Sequence, residues 1–211
     1  MHKYFIKTPW LVRKIFSRYI WKIDSKEKVV YLSFDDGPHP AITPWVLQQL
    51  KKYNALASFF CIGENVLRYP DVYKKIIEEG HAVGNHTQQH LNGWKVTAAE
   101  YCNDVQKAAQ CIHTNLFRPP YGKIKWAQVK LLPKAMNTKN VKVIMWDVLS
   151  ADFDQRMSPK VCLDNVLCNY GPGSIIVFHD SEKAFTNLQF VLPLVLAHLQ
   201  RENYSCQRLE F

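Results

Sequence analysis

The chain has no unbroken apolar run of the kind that forms a signal peptide's hydrophobic region or crosses a bilayer. The expectation is a protein of the cytoplasm or of the inner membrane face. Close-paired cysteines are missing too. Cys61, Cys102, Cys111, Cys162, Cys168 and Cys206 show no zinc-ribbon or redox spacing, and several sit in apolar runs that read as core, which fits a reducing compartment. Low-complexity stretches are also absent. With 47% hydrophobic and 21% charged residues in 211, the chain is sized and composed for one sizeable core.

A net charge of +9 is compatible with nucleic-acid binding, but it is unevenly placed. Residues 1–30 hold eight Lys or Arg against two acids, and the remaining 181 residues carry a surplus of only three. No nucleic-acid footprint is therefore expected on the body. The basic leader, residues 1–27, interleaves Tyr4, Phe5, Trp10, Phe16, Tyr19 and Trp21 with its charges. It reads either as a segment packing its aromatics on the domain or as an interfacial amphipathic helix touching anionic lipid, with Pro9 interrupting it. Residues 28–211 form the expected domain.

Apolar runs alternate with amphipathic stretches at the spacing of β-α units. Strands are expected at 28–34, 57–62, 81–84, 116–118, 141–147, 174–179 and 205–211. Helices are expected at 43–53, 70–79, 97–113, 126–136, 159–169 and 188–200. Thr43 and Thr97 are the expected caps, Thr97 in the capping-box pattern Thr97-Ala98-Ala99-Glu100. About seven parallel strands with right-handed crossovers imply an α/β architecture, best read as an irregular, incomplete (β/α) barrel; an open doubly wound sheet is the competitor.

Chemistry-bearing residues follow the strand ends, where barrels build their sites. Asp35 and Asp36 close the first strand in Phe34-Asp35-Asp36-Gly37-Pro38, and His86 and His90 are spaced to share one face of a helical turn. One carboxylate and two imidazoles make a facial metal site and leave a carboxylate free to act on water. Taken singly these features are bland: Asp-Asp-Gly-Pro is a common turn, Arg118-Pro119-Pro120-Tyr121 a rigid one, and His179 a strand-terminal histidine. Their order on consecutive units is what gives them weight. His2, His39, His81, His113 and His198 show no partner pattern.

From about Val29 onward the chain resembles the polysaccharide deacetylases with the NodB homology fold, carbohydrate esterase family 4. The matching motifs are Ser33-Phe34-Asp35-Asp36-Gly37, His86-Thr87-Gln88-Gln89-His90, Arg118-Pro119-Pro120-Tyr121 and Val177-Phe178-His179. The resemblance implies a metal-dependent hydrolase removing N-acetyl groups from a peptidoglycan- or chitin-like glycan. It implies Asp36, His86 and His90 as ligands of a divalent metal, usually zinc, with cobalt, nickel or manganese as alternatives. Asp35 is the implied general base, Arg118 its partner, the Tyr121 backbone N–H an oxyanion donor and His179 the general acid. Pro120, Tyr121 and Trp94 are the expected sugar contacts. The fourth motif departs: Leu149-Ser150-Ala151-Asp152-Phe153 has Leu149 where the family has an Asp that tunes the acid histidine. Asp147, two residues earlier on an alternating strand, and Asp152 are the candidate substitutes. O-deacetylation, iron-oxygenase chemistry and a silent carbohydrate-binding role are the alternatives; Asp35, Arg118 and His179 weigh against the last two.

Overall fold

The apolar runs become strands covered on both faces, as parallel sheets require. The computed structural model describes residues 4–211, and His2 lies outside that range. Its central strand β1 (Val29–Asp35) pairs in parallel with β2 (Ala57–Cys61) and β7 (Ile175–His179). With β3 (Ala82–Asn85), β4 (Leu116–Phe117), β5 (Lys142–Val143) and β6 (Val148–Leu149), the order is β5-β4-β3-β2-β1-β7-β6. A short β8 (Ser205–Cys206) joins β1 off this path, opposite Val29 and Val30.

The sheet must curl. Strands β5 and β6 stand at opposite ends of the order, yet only residues 144–147 separate them. Five residue steps span at most about 18 Å, so the two ends of the sheet approach one another. The expected 141–147 strand is therefore only the short β5 followed by a bend, and β6 begins just past it at Val148. The incomplete barrel is the observed architecture, and the open sheet is set aside.

The leader fills the seam. Lys7 bridges Val148 in antiparallel fashion and Ile20 bridges Ile144 in parallel. Leu149 N–H donates to Ile6 O at 2.8 Å and Met145 N–H to Ile20 O at 2.7 Å. Between these contacts the chain makes the short helix α1 (Trp10–Ile15). Through residues 6–8 and 20–23 the leader thus pairs with the edges of the barrel wall.

Helices α2 (Ile42–Lys52), α3 (Gly63–Arg68), α4 (Pro70–Glu78), α5 (Ala98–Ala109), α6 (Trp126–Ala135), α7 (Pro159–Leu167) and α8 (Glu182–Arg201) complete the β-α alternation. Helix α8 buries Ala184, Leu188, Val191, Leu192, Val195, Leu196 and Leu199, a stripe at helical spacing. It starts earlier than its apolar stripe alone suggested, because Asn187 on its buried face donates to Asp152 O at 2.9 Å. Phe34 stacks on Phe59 and Phe178 at 5.0 and 5.8 Å, tying three neighbouring strands. The Thr97 capping box forms as expected. Thr43 does not cap its helix, which starts at Ile42; its hydroxyl accepts from His39 N–H at 2.8 Å. All six cysteines are free thiols. No helix among the described residues is long and apolar enough to cross a membrane.

Candidate active site

Backbone register assembles the site. Asp35 lies opposite His179 across β1 and β7, Asn85 of β3 immediately precedes His86, and Phe117 of β4 immediately precedes Arg118. The named side chains therefore gather at one mouth, the C-terminal ends of the strands. A cleft of about 460 Å³ there is lined by Asp35, Asp36, His86, His90, Tyr121, Leu149 and His179, with Tyr4, Lys123, Trp146, Phe153, Val177 and Lys183 around them.

Asp36, His86 and His90 place one donor atom each within 4.8 Å of one another. Asp36 Oδ1 stands 3.3 Å from His90 Nε2 and 3.8 Å from His86 Nε2. Ligands held at zinc-binding distances of about 2.0 Å in a tetrahedron are roughly 3.3 Å apart, so the spacing suits a cation of this size. A second observation agrees: Asp36 Oδ1 is buried and accepts no hydrogen bond. His86 Nδ1 is 2.7 Å from Arg118 O, which commits that nitrogen to N–H and leaves Nε2 free to coordinate. Burial pushes the His86 imidazole down to about 4, so it is neutral at pH 7, as a ligand must be. Burial works against ionisation of Asp36, but the neighbouring imidazoles, His90 first and then His179, outweigh it and hold the carboxyl below the usual range.

The two histidines do not lie on a helix. They come from a loop in which Thr87 has φ 66° and His90 φ 56°, left-handed values that no helical turn contains. Asp104, on the buried face of α5, holds this loop by accepting from Gln88 N–H at 2.9 Å and Gln89 N–H at 3.1 Å. Asn85 Oδ1 accepts from Thr87 N–H at 2.8 Å. The preceding loop is pinned likewise: Asn65 donates to Asp36 O at 2.8 Å, and Gly37 N–H donates to Asp180 Oδ1 at 3.1 Å. A Cβ on Gly37 would fall 2.1 Å from Asp180 Oδ2, so only glycine permits this approach. Burial, aided by the charge of Asp36, raises Asp180 to about 7 despite its hydrogen bonds from Thr43 and Gly37.

Arg118 is fully buried, and each of its three side-chain nitrogens donates a hydrogen bond. Nη1 reaches Asp35 Oδ1 at 2.6 Å and Ser33 Oγ at 2.8 Å, Nε reaches Ile144 O at 3.3 Å, and Nη2 reaches Met145 O at 3.1 Å. The guanidinium also lies 3.9 Å from the Phe60 ring centroid. One side chain thus pairs with a buried carboxylate and fastens the bend between β5 and β6. Arg118→Met is expected to cost about 3–5 kcal/mol, because it leaves Asp35 charged and unpaired in the interior. In a chain of this size that lowers the melting temperature by on the order of 10 °C; calorimetry showing an unchanged transition would refute the assignment.

His179 is held by Asp152. Its Nδ1 lies 2.8 Å from Asp152 Oδ1, and its backbone N–H donates to Asp152 Oδ2 at 2.9 Å. Burial alone would lower the imidazole. The charge and hydrogen bond of Asp152, with the charges of Asp36 and Asp35, prevail and raise it to about 9. Asp147 faces elsewhere: it accepts from Lys7 Nζ and Ser174 Oγ, each at 2.6 Å, and lies 3.5 Å from Arg13 Nη1. The bend between β5 and β6 breaks the alternation that would have put Asp147 and Leu149 on one face. Asp147 anchors the leader, and Asp152 meets the histidine.

Of the expected sugar contacts only Tyr121 lines the cleft. It is 60% exposed, has φ 60° and sets its ring 4.6 Å from that of His90. Pro120 is buried and Trp94 stands outside the cleft lining, 61% exposed with Lys123 Nζ 5.3 Å from its ring. Tyr4, Trp146 and Lys183 had no sequence signal as cleft residues, since their place depends on the curl. Phe153, whose ring is 4.9 Å from that of His179, follows Asp152 directly and was within reach of the motif.

This arrangement has close counterparts. The family model for polysaccharide deacetylase matches residues 22–140. A peptidoglycan-N-acetylglucosamine deacetylase of Bacillus cereus is 37% identical over 158 residues, which are 72% of this chain and 56% of that protein, so the match covers little more than half of that relative's length. A chitooligosaccharide deacetylase of Azorhizobium caulinodans is 33% identical over 75% of this chain and 77% of its own. A solved peptidoglycan N-acetylglucosamine deacetylase superposes with a TM-score of 0.84 at 31% identity, covering 96% of this chain and 95% of its own. The curled sheet, the strand-end motifs and these matches lead to one assignment: the chain belongs to the polysaccharide deacetylase family.

Proposed function

We propose that the protein is a metal-dependent deacetylase of glycans bearing N-acetylated amino sugars, peptidoglycan- or chitin-like in class. The observation that carries this is the pairing of an Asp-His-His cluster with two independently buttressed groups, Asp35 on Arg118 and His179 on Asp152, across one cleft. The names of the relatives support the substrate class.

Asp36, His86 and His90 would hold the cation, zinc by the chemistry of the donor set. When bound, it supplies Lewis-acid polarisation of the acetamide carbonyl and makes the attacking water more acidic. Asp35 takes the proton from that water as it attacks the carbonyl carbon. The Tyr121 N–H, on a left-handed turn at the cleft wall, donates to the developing oxyanion. His179, kept protonated at neutral pH, gives its proton to the departing sugar nitrogen, which cannot leave as an amide anion. Neither Asp35 nor His179 has such work in an oxygenase, and a pure binding module has no use for the buried Arg118.

Acetate release from a panel of acetylated glycans tests the reading. Chelation is expected to lower release to about a hundredth or less, with recovery on adding zinc. Chelator-insensitive release would overturn the metal mechanism, and release from O-acetylated glycans alone would move the activity to ester bonds.

A further inference from the structure

We propose that α1 and its flanks dock the protein on an anionic phospholipid bilayer. The helix is held by its inner side: Thr8 N–H donates to Asp147 O at 2.9 Å, Thr8 Oγ to Trp146 O at 2.7 Å, and Arg13 reaches Asp147. Beyond it, Ile20 joins Ile144 and Trp21 Nε1 donates to Phe16 O at 3.0 Å. With both ends fastened to the barrel, the opposite face is presented to solvent as a fixed surface. That face carries Trp10 at 64% exposure, Leu11 at 59%, Ile15 at 64% and Phe16 at 48%.

At 100° per residue Trp10, Lys14, Leu11 and Ile15 occupy one arc of the helix, while Val12 and Arg13 turn inward. Large apolar side chains held together in water mark a surface that something covers. Lys14 Nζ sits 4.9 Å from the Trp10 ring, and Arg18 and Lys22 follow in the same segment, both exposed. Apolar tips rimmed by cations suit the boundary of an anionic lipid headgroup layer. A second copy fits less well, because a two-fold contact would bring like-charged rims face to face. The helix is too short to cross a bilayer and lies on it. Tyr4 lines the cleft six residues before Trp10, at most about 22 Å away along the chain, so docking holds the cleft close to the lipid surface.

Co-sedimentation of the full chain with phosphatidylcholine vesicles, with and without phosphatidylglycerol, tests this. Binding only to the anionic vesicles, weakened by salt, is the expected result. Trp10→Ser with Ile15→Ser is expected to lower partitioning at least about tenfold, and Lys14→Glu with Arg18→Glu about tenfold or more. Both pairs are exposed, and unchanged melting curves show the fold intact; if the apolar pair fails to fold, the charge pair decides. No binding to anionic vesicles, binding indifferent to the charge pair, or a dimer in size-exclusion that the substitutions dissolve, overturns the proposal.

Discussion

Asp35→Asn lowers kcat by a factor on the order of 10²–10⁴, the contribution of a positioned general base, while the affinity of the Asp-His-His cluster for zinc is unchanged. The two halves of this result separate the adjacent carboxylates. Asp36 turns toward His86 and His90, whereas Asp35 turns toward Arg118. Asparagine keeps the shape of Asp35 but cannot take a proton from water. The substitution also strips the buried Arg118 of its counter-charge, so activity is compared at equal folded fraction. Zinc titration by calorimetry supplies the control; if metal affinity falls in step with kcat, Asp35 is a ligand and the division of labour is wrong.

Asp152→Asn has the second large effect. His179 owes its raised pKa of about 9 to a contest in which burial pulls downward and Asp152 pulls upward more strongly. Remove the carboxylate charge and burial is opposed only by the charges of Asp36 and Asp35, so the imidazole holds its proton less tightly. A general acid is active only below its pKa. The alkaline limb of kcat/KM therefore moves toward lower pH, by at least about one unit, and kcat near neutrality falls by on the order of 10²–10³. Because Asp152 Oδ2 also accepts the His179 backbone N–H, the loss combines electrostatics with orientation. An alkaline limb that stays in place would show that another group donates the proton. Asp147→Asn, by contrast, leaves the limb where it is, since Asp147 bonds Lys7 and Ser174 instead.

The strand-end positions of Asp35, Asp36, Arg118 and His179 were legible because a parallel β-α repeat sends every such residue to the same mouth. The two-sided apolar runs of β1, β2 and β7 were legible for the same reason. His86 and His90 were recognised, but on the wrong local structure: their spacing mimics a helical turn, and the left-handed residues that bring them together owe their conformation to Asn85 and to Asp104, nearly twenty residues away in the chain. Asp147 was misplaced because alternation holds only while a strand runs straight. Trp94 read as a sugar platform since an aromatic after the metal histidines is a reasonable guess; whether a ring faces the cleft depends on loop packing that no periodicity encodes. Packing of the leader on the domain was one of its two readings, but its charge and aromatics say nothing of which backbone groups it pairs with.

The seam between β5 and β6 has a consequence for biosynthesis. Lys7 meets Asp147 across 140 positions, and Tyr4 meets Asp154 across 150. Tyr4 and Lys7 find these hydrogen-bond partners only after the 140 or more positions between each pair have been made. Contacts of such long range are slow to form, and until they do the edges of β5 and β6 are unpaired strands open to association. The leader therefore stays unpaired while the intervening strands are made, and closure of the wall waits on β5 and β6.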